Sequence, residues 1–254
     1  MEPWTVRGRV DANELANRLT DELRAVARPE RAEHEKRYLK SDLEFLGASV
    51  GDIRRVARAC TRRSSALDRE GLVALVEALW AVPIHERRLT AVVLLALHPK
   101  LLGPAHLPLI ERLLRESRTW ALVDVMATDV LGSILAASPD RVTQVLDRWG
   151  TDPDFWIRRS SLLAELRPLR AGADLGPFLR RADAMLDERE FFIRKAIGWV
   201  LREVGRRRPA EVIAWLAPRT HRASGVTMRE AVRHLPAADA AQLMDAYRES
   251  RPAA

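Results

Sequence analysis

Trp120 and Asp124 stand four residues apart in TWALVDVMATDVLG, a spacing that puts both on one face of a predicted helix. A carboxylate can stabilise positive charge that develops beside it, and an indole face attracts a cation. The surroundings of Asp124 recur along the chain. Arg88, Asp124, Arg159 and Lys195 each stand near the start of an apolar helical segment, in RRLTAVVLLAL, DVMATDVLGSI, RRSSLLAEL and KAIGWVLREV, and are spaced by 36, 35 and 36 residues. A near-constant period of that size signals stacked helical pairs, in which equivalent positions line up as a column. The column reads basic, acidic, basic, basic. One carboxylate among cations, beside an indole, reads as a site. The competing reading is a structural ion pair for Asp124 and core packing for Trp120.

The elements that must position these residues are helices throughout. Apolar residues recur at intervals of three and four, as in Leu15, Leu19 and Leu23, or Leu72, Leu75 and Leu79. No stretch alternates like a half-buried strand. Pro29, Gly47, Pro83, Pro99 with Gly103, Pro139, Gly150 to Pro153, Gly172 to Pro177, and Pro209 divide the helices. Ser138–Pro139–Asp140 and residues 151–154 (TDPD) resemble helix N-terminal caps. The expected fold class is all-α: a HEAT-like repeat α-solenoid of about a dozen helices in antiparallel pairs, with a basic concave face. The period is shorter than the HEAT value of about 40–47, but the tryptophan–leucine–glycine pattern of TPR repeats is absent. A single domain over residues 1–254 is expected, with 1–10 and 251–254 loose.

Composition narrows the function. The chain carries a net charge of +7, from 38 Arg and 4 Lys against 35 acidic residues. Between Glu190 and His234 ten cations face four glutamates. A segment so basic concentrates polyanions such as nucleic acid. The lone cysteine, Cys60, sits in an arginine-rich helix without a His or Cys at ligand spacing and reads as structural. It fits a reducing cytosol. The six histidines show no paired metal spacing, and no Gly-rich phosphate loop occurs, so no metal and no nucleotide cofactor are expected. No run of 18 uninterrupted apolar residues and no signal-peptide core occur, which predicts a cytoplasmic protein without a membrane partner, nucleoid-associated when bound to DNA.

The motifs RYLKSDLEFLG (37–47), TWALVD (119–124), DFWIRRSSLLAEL (154–166) and EFFIRKAIGWVLRE (190–203), with a looser TMREAVRHL (227–235), carry a resemblance. From about Tyr38 to His234 the chain resembles the HEAT-like repeat DNA glycosylases of the AlkD type, the DNA alkylation repair proteins. The resemblance implies a monofunctional N-glycosylase that removes cationic alkylated purines, chiefly N3-alkyladenine and N7-alkylguanine, from duplex DNA without base flipping. Some members of the family excise bulky adducts of a DNA-alkylating natural product. Carried over residue by residue, it implies catalytic roles for Trp120, Asp124 and Trp199, and DNA contacts for Tyr38, Arg159, Arg167, Lys195 and Arg202. Arg167 departs from the family, which commonly has lysine there; charge is kept and geometry changes. Arg206, Arg207 and Arg208 read equally well as DNA contacts or as a solvated helix end. The expected partner is double-stranded DNA bearing alkylated purines, met as a monomer. The alternatives are a non-catalytic DNA-binding repeat protein and a protein-interaction scaffold.

Overall fold

The three-and-four spacing of apolar residues becomes helix almost everywhere. The computed structural model describes residues 5–6, 9–63 and 67–250. It divides into two compact units, residues 1–126 and 127–254. In the first, a two-stranded antiparallel hairpin, β1 (Thr5–Val6) and β2 (Arg9–Val10), precedes α1 (Ala12–Arg24), α2 (Pro29–Leu39), α3 (Val50–Arg63), α4 (Arg69–Trp80), α5 (His85–Leu97), α6 (Leu107–Ser117) and α7 (Trp120–Val125). Of the termini expected to be loose, residues 1–4, 7–8 and 251–254 lie outside the described residues, and Thr5–Val6 pairs with Arg9–Val10.

The second unit holds α8 (Gly132–Ala137), α9 (Pro139–Trp149), α10 (Phe155–Leu163), α11 (Leu166–Arg170), α12 (Gly176–Ala184), α13 (Phe191–Gly205), α14 (Pro209–Leu216), α15 (Gly225–Ala231) and α16 (Ala237–Glu249). The fold is all-α, as expected.

Most caps and breakers act as local chemistry dictates, but Ser138, expected to cap α9, makes no side-chain bond to its first turn. Asp11 accepts the N–H groups of Asn13 and Glu14 at the start of α1, at 2.9 and 3.0 Å. Asp154 does the same for Trp156 at the start of α10. Pro29, Pro139 and Pro209 each occupy a first-turn position, where a missing N–H costs nothing. Leu15, Leu19 and Leu23 of α1 are buried where α1 packs on α3 and α4.

The repeat shows in the interactions as well as in the sequence. Within each unit, side chains bond to partners one period away: Arg112 to Glu77, Trp80 to Glu116, Arg181 to Asp147, Lys195 to Glu230, Arg219 to Asp183 and Arg222 to Asp187 are 34–36 residues apart. Stacked helical pairs place equivalent positions one above another, and these bonds are the rungs.

The helix that begins with α7 widens to π geometry over Met126–Leu131 before resuming as α8, a change that apolar spacing does not signal. Single π turns inside α-helices recur at functional sites. Among the described residues, this helix, Trp120–Ala137, is long and apolar enough to cross a membrane, with mean hydropathy 1.5 over 18 residues. Asp124 and Asp129 interrupt it, so it holds no uninterrupted run of 18 apolar residues. Its apolar residues Leu122, Val123, Met126, Ala127, Val130 and Leu131 are buried inside the protein, so it is read as a core helix.

Candidate functional site

The sequence anchors fall in matched helical register. Arg88 is the fourth residue of α5, while Asp124, Arg159 and Lys195 are the fifth residues of α7, α10 and α13. In the first unit, Leu122, Val123 and Met126 turn the apolar face of the helix inward, leaving Trp120 and Asp124 half-buried on the other. Tyr38, near the end of α2, is 65 % exposed. Its ring meets Trp120 edge-on with centroids 5.9 Å apart, and the His34 ring lies nearly parallel to it at 6.4 Å. The fold therefore brings together Tyr38 and Trp120, which the sequence separates by several helices.

A cavity of about 220 Å³ opens beside this pair, lined by Leu89, Val93 and Ala121 with His85, Glu35 and Arg54. His85 is 4 % exposed, stacks on Phe45 at 4.6 Å, and its Nδ1 has no hydrogen-bond partner. Burial pushes its pKa down to about 4, so the ring is neutral at neutral pH. Nothing in the sequence singled it out, because a lone histidine carries no spacing signal. The adjacent Glu86 is fully buried and accepts the N–H groups of Leu46 and Gly47 at 3.0 and 2.6 Å. Burial raises its pKa, and those two donors oppose the rise. Its carboxyl fixes the loop between α2 and α3 to the start of α5.

Arg88 is held against the Trp80 ring at 4.9 Å and donates to the Glu116 carbonyl at 3.0 Å.

The second unit revises several expectations. Arg159 is 3 % exposed; its Nη1 lies 2.5 Å from the Phe192 carbonyl, and its guanidinium sits over the Phe192 ring at 5.6 Å. It is a packed arginine joining α10 to α13, not the surface phosphate contact expected. Lys195 and Arg202 lie seven residues apart on α13 and share one acid that the sequence reading missed. Glu230 of α15 accepts from Lys195 Nζ at 2.5 Å and bonds Arg202 Nη1 through its other oxygen. Burial works against the charge on Glu230, but the Lys195 hydrogen bond and the nearby Arg202 charge outweigh it and hold its pKa below the ordinary glutamate value. The two expected DNA contacts are thus one ion-pair cluster. Gly198, between them, lets α13 approach α15: a Cβ there would stand 2.7 Å from Glu230 Cβ and 2.9 Å from the Thr227 carbonyl.

Trp199 is half-buried against the apolar core of this unit, and Arg167 is exposed on α11. Of the arginine run, Arg207 donates to the Arg170 carbonyl at 2.7 Å and Arg208 to those of Ala173 and Leu169 at 3.0 and 3.4 Å. These two satisfy carbonyls at and just beyond the end of α11, which favours the structural reading for them. Arg206 lies 3.9 Å from Glu203. Among the described residues, no three His, Cys, Asp or Glu side chains gather in a group that could hold a metal ion.

Chemically, the first unit offers a carboxylate one helical turn from an aromatic pair at an open cavity, and the second a set of anchored cations. Two solved structures share the fold. One is described as a predicted DNA alkylation repair enzyme from Enterococcus faecalis, with a TM-score of 0.75, 21 % identity, and coverage of 83 % of this chain and 97 % of that one. The other is AlkD2 from Streptococcus mutans, with a TM-score of 0.57, 14 % identity, and coverage of 89 % and 100 %. No curated protein matches the chain. The model of the family described as DNA alkylation repair enzyme matches residues 19–235, a span that takes in all five motifs and all eight residues singled out for the site, and the chain belongs to that family.

Proposed function

We propose that this DNA alkylation repair enzyme is a monofunctional N-glycosylase acting on cationic alkylated purines in duplex DNA. A purine alkylated at N3 or N7 already carries positive charge and leaves without being protonated. As the C1′–N bond breaks, its electron pair goes to the base, which departs neutral, and positive charge spreads over the deoxyribose. The oxygen of a water molecule then bonds to C1′, and the proton this water loses passes to solvent. The Asp124 carboxylate stabilises the cationic sugar and orients that water. Trp120 and Tyr38 offer ring faces to the cationic nucleotide. Trp199 packs against the sugar–phosphate backbone, while Arg167, Lys195 and Arg202 hold phosphates and so set position without reading sequence. Arg159 acts by positioning α10 against α13. The chemistry needs no metal and no nucleotide, proceeds without base flipping, and is carried out by a monomer in the cytoplasm.

The observation that supports this reading best is the Tyr38–Trp120 pair beside a cavity, one turn before Asp124. The test is base release from methylated duplex DNA in the presence of EDTA, with the freed base identified by mass. A second duplex bearing a bulky purine adduct asks how large a substituent is accepted. Free N3-methyladenine or N7-methylguanine is expected. Tight DNA binding without any base release would mean a non-catalytic DNA-binding protein. Binding of an acidic protein but not of DNA would mean a scaffold.

A further inference from the structure

A second cavity in the first unit, of about 370 Å³, collects cations that the glycosylase reading leaves unused. Lys40, Arg88 and Arg118 line it, together with Ser41, Asp42 and Glu116. Among the described residues, Lys40 and Arg118 are the only non-glycine residues with positive φ, at 48° and 46°. They close α2 and α6 in the left-handed conformation. Helix ends commonly use that conformation, but with glycine, because a Cβ makes it costly. Here lysine ends one helix and arginine the other, which puts a cation at each end. Both side chains are exposed.

The third cation is fixed. Arg88 is clamped between the Trp80 ring and the Glu116 carbonyl, yet its Nε is buried without a partner. Of the two carboxylates present, Glu116 already accepts from Trp80 Nε1 at 2.6 Å and from Arg112 at 3.2 Å, and Asp42 is exposed. The loop that carries Lys40 cannot drift from α5. Glu44 bridges to Ile84, with Glu44 N bonded to the Pro83 carbonyl and His85 N to the Glu44 carbonyl, both at 2.9 Å, and Glu86 pins Leu46 and Gly47. Arg88 is thus placed before any ligand arrives, and the backbone that follows Lys40 is tied to the start of α5. Arg118 lies two residues before Trp120.

We propose that Lys40, Arg88 and Arg118 form a phosphodiester site that grips one backbone phosphate of the DNA strand. This rests on the reading that duplex DNA is the substrate. The site positions the strand relative to α7; it does not touch the base. One fixed and two solvent-facing cations around one cavity suit a tetrahedral oxyanion, whose several oxygens accept from separate donors.

The test uses Lys40→Gly combined with Arg118→Gly. Glycine relieves the left-handed backbone, so the melting temperature should hold or rise while DNA affinity falls about tenfold. The log–log salt slope should flatten by about 0.9 for each phosphate that is no longer neutralised. Methylphosphonate substitution, stepped one phosphate at a time around the lesion, should reveal one position where neutral substitution weakens the native protein by the same factor and leaves the double variant unaffected. Native-like affinity in the folded variant, or no phosphate that couples to it, overturns the proposal. Micromolar binding of inorganic phosphate that the variant loses, with DNA affinity unchanged, also overturns it in favour of a free phosphate ligand. The readout is binding alone, so absence of base release would sink the glycosylase reading and leave this test intact.

Discussion

Glu230→Gln keeps the size of the side chain and removes one negative charge from between two cations. In the native protein Glu230 bonds both Lys195 and Arg202 of α13. The Arg202 side chain is 19 % exposed and that of Lys195 40 %, so the arginine arm is the better shielded from solvent. A hydrogen bond to a charged group contributes about 1.5–3 kcal/mol, and the arginine arm belongs in that range. The lysine arm is screened and contributes at most about 1 kcal/mol. Glutamine can still accept one bond but offers Arg202 an amide instead of a charge, which leaves a net loss of about 2–3 kcal/mol. For a chain of this size the melting temperature should fall by roughly 5–10 °C.

The pH dependence has a definite sign. The Glu230 pKa is held low in the folded state, so its stabilisation is complete above the ordinary glutamate range and disappears as pH falls through the folded value. Native and variant melting temperatures should therefore converge in acid. DNA binding should move the other way from stability, because the carboxylate beside the two cations that hold phosphates has lost its charge. Affinity should rise, most of all at low salt, where the lost repulsion is least screened. Thermal melting and fluorescence anisotropy against salt suffice. An unchanged melting temperature would show that the cluster does not hold α13 to α15. Weaker DNA binding by a folded variant would show that Glu230 aims the cations at DNA.

Three other substitutions probe separate parts of the molecule. Asp124→Asn should lower single-turnover base excision by roughly 10²–10³-fold with DNA affinity unchanged or tighter; near-native excision with a lowered melting temperature would reduce Asp124 to a structural ion pair. His85→Phe should flatten the fall in melting temperature between about pH 6.5 and 4, because the native ring resists protonation in the fold and stability is lost as pH drops through that window; parallel pH profiles would refute it. Gly198→Ala should cost about 1–3 kcal/mol by pushing α15 from α13, since its Cβ would meet Glu230 Cβ and the Thr227 carbonyl inside contact distance; native stability measured by urea unfolding would mean the helices part freely.

The amino-acid sequence by itself determined the helices, their period and the register of the anchors. Apolar spacing is a local property, and each helix responds to its own residues, so Asp124, Arg159 and Lys195 could be aligned before any coordinate was known. It also showed that Trp120 and Asp124 share a face, because that follows from helical geometry alone. It did not show which polar group on another helix meets a given side chain. Spacing marked Lys195 and Arg202 as basic and exposed-looking, but only packing through Gly198 brings Glu230 between them. Arg159 looked like a surface cation, yet the crossing of α10 and α13 buries it on the Phe192 carbonyl. Tyr38 came forward only by resemblance; its edge-on contact with Trp120, like the orphaned Nδ1 of His85, exists because α2, α5 and α7 converge. Periodicity reports which face of a helix avoids water. The partner it finds depends on helix separation and crossing, which the tertiary structure alone decides.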